Sequence, residues 1–157
     1  MEIKKITLKQ AEQAVKRHSF KIDKEHGHYD KKTIKKANKF EKKHGFRYED
    51  AWDLDNAIAC FILPRLVQFR DTHRGYPASF IKDLPDNPTK EQDEIADKEW
   101  NTILNKIIYA FYIYITIEFY KVDKEKTEIV EEGLDLFRKY FSCFWDWGDK
   151  MIEKLNN

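Results

Sequence analysis

Apolar residues along this chain recur mostly at a helical spacing of three and four, and rarely in alternation. Leu8, Ala11, Ala14 and Val15 share one face of a helix predicted over 8–18, with Thr7 placed to cap it. Ile34, Ala37 and Phe40 form a thin stripe on a second helix, which Asp30 can cap at its start and Gly45 can end. Leu54, Ile58, Phe61, Ile62, Leu66 and Phe69 predict a longer helix over roughly 50–72. Pro64 lies inside it, removes one backbone donor and predicts a kink near 60–64. A third main helix is predicted from about Asp97 to Tyr120. It carries one stripe through Trp100, Ile103, Leu104, Ile107, Ile108, Phe111 and Ile115, and a second through Tyr109, Tyr112, Ile113, Thr116 and Tyr120. A helix apolar on most sides is either central to a bundle or half of an oligomer interface. The centre is favoured here, because other helices are present to surround it. Tyr109, Tyr112, Ile113 and Tyr120 are the candidate partner or oligomer face.

The last stripe, from Ile129 to Trp145, predicts a helix over 125–147 that Met151, Ile152 and Leu155 extend. Gly133 in mid-helix costs about 1 kcal/mol against alanine, which a close helix–helix contact would explain. Between 74 and 93, Gly75 and prolines 77, 85 and 88 mark a long loop. The fold expected is all-α: an antiparallel bundle of three long helices with two short basic N-terminal helices at one end. Residues 1–49 are read as the basic segment and 50–157 as the helical core, in one compact domain overall.

Composition sharpens this reading. A chain of 157 residues buries roughly two thirds of its unfolded surface, enough for a core without staples. Cys60 and Cys143 each sit in an apolar run and read as buried free thiols. The N-terminus has no apolar signal stretch, and the run at 107–117 is too short to span a bilayer. A cytoplasmic protein with no membrane partner is expected. The net charge of +1 hides an asymmetry: residues 1–50 carry +7 and residues 51–157 carry −6. That points either to an acidic partner or to attraction between the two parts.

Candidate chemistry is sparse. His26, His28 and Asp30 lie together in HGHYD, which resembles part of a metallo-β-lactamase-type signature, but Lys31 stands where a further histidine is needed. The surrounding lysines repel a cation, so no metal and no cofactor are expected. Asp53 and Asp55 would point about 160° apart on a helix and cannot act as a carboxylate pair. His73 beside Arg74 is the best isolated catalytic candidate, and a surface histidine at a helix end is its simpler reading. No phosphate loop, nucleophile elbow or paired Cys-x-x-Cys is present, so no enzyme is expected. The seven lysines on helix 31–43 are the strongest surface feature. Lys32, Lys35, Lys36, Lys39 and Lys43 form a candidate surface for an anionic partner, with non-specific nucleic-acid binding as the alternative function.

Three blocks together carry a resemblance: WDLDNAIACFILPRLVQFRDTHRGYP (52–77), EWNTILNKIIYAF (99–111) and EEGLDLFRKYFSCFWD (131–146). They resemble a group of small phage- and prophage-encoded helical proteins. In that group a Trp-x-x-Asp helix ends in Pro-Arg-Leu, and a Gly-Tyr-Pro loop follows. A tryptophan-led helix comes next, then Glu-Gly-Leu-x-Leu-Phe-x-x-Tyr-Phe and Trp-Asp. The resemblance covers about residues 50–147, and the basic segment before it looks like an addition. It implies a viral origin and a helical fold, and no particular reaction. Within its largely apolar motifs Asp55, Arg65 and Asp146 stand out as a candidate polar cluster, either a buried ion pair or a binding site. The function expected is a non-catalytic phage accessory protein acting in the host cytoplasm by protein binding or self-association.

Overall fold

The computed structural model describes residues 3–18, 30–73, 75–81, 88–117 and 123–145. They form five α-helices, and no strand occurs among them: α1 Leu8–His18, α2 Lys31–His44, α3 Leu54–Thr72, α4 Lys90–Thr116 and α5 Lys124–Lys139. Short 3-10 turns precede α3 at Tyr48–Ala51 and follow α5 at Phe141–Cys143. No described helix is long and apolar enough to cross a membrane.

Side-chain caps set most of the helix starts. Thr7 accepts from the Gln10 amide at 3.3 Å, while the Gln10 side chain accepts from the Thr7 amide at 2.9 Å. Asp30 caps α2 by accepting from the Thr33 amide at 2.7 Å. Gly45 closes it in the left-handed region at φ 77°, a conformation that disfavours a Cβ, with its N–H bonded to the Glu41 carbonyl. Asp123 caps α5 through the Lys126 amide. Thr89 and Gln92 form a reciprocal capping box at the start of α4. This box begins α4 seven residues before the expected start at Asp97, inside what reads from the sequence as loop.

The core is built around α4, which packs against α1, α3 and α5. Leu104, Ile107, Ile108, Ala110, Phe111 and Ile115 of α4 are buried. Ala59, Leu63, Leu66 and Val67 come from α3, and Ile6, Ala11 and Ala14 from the N-terminal segment. Residue pairings give the helix directions. Asp55 meets Tyr114, Arg70 meets Asn105 and His73 meets Asp97, so α3 and α4 run oppositely. Gly133 against Ala110 and Tyr140 against Trp100 set the same relation for α5 and α4.

The expected close contact at Gly133 is present. A Cβ there would lie 2.1 Å from the Ala110 Cβ and 3.2 Å from the Lys106 carbonyl oxygen. Three expectations change. First, α5 ends at Lys139 and does not run to 147, because Tyr140 leaves helical geometry (φ −104°, ψ 15°). That turn lets Tyr140 and Phe144 pack on Trp100 with ring centroids 5.5 and 6.0 Å away. Second, Tyr48–Ala51 is a 3-10 turn, so α3 starts at Leu54. Third, α1 belongs to the core instead of lying outside it with α2. Its Ala11 and Ala14 are buried, and the carbonyl of Ile6 accepts from Arg70 Nη2 at 2.9 Å. Only α2 stands off the core: none of its own residues is buried, and it packs against the 48–51 turn.

Candidate functional site

The distinctive surface lies where α2, the 48–51 turn and the start of α3 meet. Arg47 and Asp50 lock the turn: the Arg47 amide donates to Asp50 Oδ2 at 2.9 Å, and its guanidinium pairs with Oδ1 at 3.0 Å. That geometry sets a chain of aromatic rings edge to face. Phe40 of α2 meets Phe46 and Tyr48 at 5.4 and 5.6 Å, and Tyr48 meets Trp52 at 5.5 Å. From Trp52 the apolar surface continues along α3. Leu54, Ile58 and Phe61 fall at i, i+4 and i+7, on one face, and remain 59%, 50% and 62% exposed, with Trp52 at 63%. Their spacing predicts the helix, together with Ile62, Leu66 and Phe69. The core takes the face carrying Ala59, Leu63, Leu66 and Val67. A 3.6-residue period identifies an apolar stripe without saying which of two stripes is covered.

At the aromatic end of this row stands α2, packed on the 48–51 turn. Lys32, Lys35, Lys36, Lys39 and Lys43, with Lys31 and Lys42, are all exposed and form no ion pair among the described residues. The lysine helix expected from the sequence is therefore joined to the exposed aromatic rings of Phe46, Tyr48 and Trp52.

The expected polar cluster does not assemble as an Asp55–Arg65 pair. Asp55 accepts a hydrogen bond from the Tyr114 hydroxyl at the base of the apolar row. That bond pushes the tyrosine up to about 12 and holds the carboxyl below its ordinary value. Arg65 is exposed. Its guanidinium lies 3.7 Å over the Phe61 ring and donates to the Phe61 carbonyl. The two residues are ten positions apart on α3, too far along the axis to meet. Asp146 lies outside the described residues, as do His26, His28 and Arg74. The expected partner face on α4 is also reassigned. Tyr109 and Ile113 are buried and Tyr112 half-buried by the chain's own packing, and Tyr120 lies outside the described residues.

A buried cation that sequence reading passed over is Arg70. Its Nε donates to Asp71 Oδ1, Nη1 to Asn105 Oδ1 and Nη2 to the Ile6 carbonyl, each at 2.9 Å. It ties the N-terminal segment, α3 and α4 together. Its only sequence signal was an arginine on the buried side of the α3 stripe.

His73 follows α3. Its Nδ1 lies 2.8 Å from the Arg70 carbonyl, which can only accept, so Nδ1 carries the hydrogen. Nε2 is buried without a hydrogen-bonding partner among the described residues and lies 3.9 Å from Asp97 Oδ1. The ring stacks on Phe69 beside a pocket of about 510 Å³ that Tyr76, Trp100, Cys143 and Trp145 help to line. His73 is thus a packed residue, not the surface histidine expected, and no described nucleophile is hydrogen-bonded to it. Cys60 is half-buried, and burial raises its thiol.

No protein-family model matches the chain, and no curated protein and no solved structure matches it. Any functional reading therefore stands on this chain's own surface and residues.

Proposed function

We propose that the chain is a non-catalytic, phage-encoded accessory protein that works in the cytoplasm of a host cell by protein binding or self-association. Behind its binding face, the reading takes α3, α4 and α5 as an antiparallel bundle, supported by their opposed residue pairings. The observation that carries the proposal is the row Trp52, Leu54, Ile58 and Phe61, left half or more exposed and joined through Tyr48 to a lysine helix that has no buried residue. A contiguous apolar row with a polar rim gains free energy when covered, at about 25 cal/mol per Å² of apolar surface removed from water. Seven lysines beside it select a partner whose apolar surface is flanked by carboxylates.

The test is capture of partners from host lysate on the immobilised chain, with and without nuclease. Leu54→Asp combined with Phe61→Asp is expected to abolish nuclease-resistant capture while the helical spectrum stays unchanged. Capture that both substitutions leave intact would sink the reading.

One observation favours a second reading, non-specific nucleic-acid binding. Tyr48 and Trp52 are exposed next to the lysines and could stack on unpaired bases. Four phosphate contacts would give a slope of about −3 to −4 in log K against log salt on duplex DNA. Replacing Lys32, Lys35, Lys36, Lys39 and Lys43 by glutamate would remove such binding. Binding that is flat with salt, or absent at low salt, excludes this second reading.

A further inference from the structure

We propose that the partner for this face is a second copy of the chain, docked head to tail, with the basic apolar face of one copy against the first turns of α4 in the next. The inference rests on the docking reading above and names its occupant. Residues 90–99 of α4 carry five carboxylates and two lysines, and all but Ala96 are exposed. Ile95 sits among them, 60% exposed. Ile95, with Glu91 and Glu99 four residues to either side of it, is the complement of an apolar row that adjoins a lysine helix.

The two surfaces cannot meet within one copy. The basic face adjoins the first turn of α3, where Asp55 bonds Tyr114. The acidic turns adjoin its far end, where His73 lies near Asp97. The lysine helix adjoins the turn before this nineteen-residue helix, and the apolar row ends at Phe61, twelve residues or about 18 Å of axis before His73. Placed at opposite ends, surfaces of opposite sign attract between copies. The near-zero net charge of +1 adds little general repulsion against that approach. Such a contact is heterologous: each copy offers one donor face and one acceptor face, so association continues past two copies or closes into a ring. Because the ion pairs lie at the surface, salt weakens the contact.

Sedimentation velocity of the full chain over a range of concentrations tests this. At about 0.01 M salt, where the Debye length is about 30 Å, the weight-average mass should rise with concentration beyond twice the monomer mass. At about 1 M salt, where it is about 3 Å, the chain should return toward monomer. Two charge-reversed variants sharpen the test: Lys35→Glu, Lys36→Glu and Lys39→Glu at the basic end, and Glu91→Lys, Glu94→Lys and Glu99→Lys at the acidic end. All six positions are exposed, and circular dichroism checks that each variant folds. Each variant alone should stay monomeric, and an equimolar mixture should associate again. A wild type that is monomeric throughout, a mixture that does not associate, assembly that ignores the α4 reversal, or assembly only with added nucleic acid would each overturn the proposal. If the wild type is monomeric yet Leu54→Asp with Phe61→Asp still removes capture from lysate, the docking reading stands and the second copy is excluded. If those substitutions change neither assembly nor capture, both fall.

Discussion

At Gly133 α5 packs so tightly on α4 that only a hydrogen fits there. Gly133→Ala gains about 1 kcal/mol of helix propensity but drives a methyl into Ala110. Overpacking of this kind costs about 1–3 kcal/mol, and backbone lies behind the contact. A lowered denaturant midpoint is expected for Gly133→Ala. Adding Ala110→Gly should recover most of it, and an unchanged midpoint in the single variant would refute the close approach. The two arginines of α3 should separate cleanly. Arg70→Met leaves the Asn105 side chain and the Ile6 carbonyl without their donor, at about 1–3 kcal/mol for each acceptor left unpaired in a buried site. Arg65→Met, at an exposed position, should stay within about 0.5 kcal/mol of wild type. The Tyr114–Asp55 bond carries a pH signature. The tyrosine is raised to about 12 in the folded chain from an ordinary value of about 10. Its contribution to stability is therefore complete below about pH 10 and lost as pH rises toward 12. Asp55 is lowered, so its contribution holds above its ordinary value and fades on acidification. In Tyr114→Phe, an NMR titration should find the Asp55 carboxyl back near its ordinary value.

Among the helices, α2 and α4 are opposites. Nearly every residue of α4 from Leu104 to Phe111 is buried, whereas no residue of α2 is. Amide hydrogen exchange should therefore report near-global opening energies for α4 and values close to zero for α2. Protection of α2 equal to that of α4 would mean that its lysine face is covered in solution. The caps of α1 and α2 were legible because short polar side chains stand directly before an apolar period. The Thr89-to-Gln92 box is equally present in the sequence, but Pro85 and Pro88 just before it predict a loop at the same place. The end of α5 was not legible. The apolar period continues past Tyr140 in sequence, and Trp100, about forty residues earlier, draws Tyr140 and Phe144 out of the helix.

For the molecule as a whole, the N-terminal segment is structural. A chain starting at residue 50 would lose Ile6, Ala11 and Ala14 from the core and the Ile6 acceptor from Arg70. It should melt well below the full chain, by about 2–4 °C for each kcal/mol lost. A chain lacking only 30–46 should keep most of the stability of the core, since α2 contributes no residue to it. Equal melting of both truncations would contradict this division.

The sequence by itself determined that the chain is helical, where α1 and α2 begin, that a glycine in mid-helix needed a close neighbour, and that residues 1–50 are basic and the rest acidic. Each of these follows from local chemistry: a period of 3.6, a capping side chain, a missing Cβ, a count of charges. Tertiary structure decided which of two apolar stripes on α3 is covered, which arginine is buried, and that Tyr109 and Ile113 of the second α4 stripe are core. Those outcomes depend on what packs against a helix, and its own residues do not encode the neighbour. The same selection left Trp52, Leu54, Ile58 and Phe61 in water beside the lysines of α2.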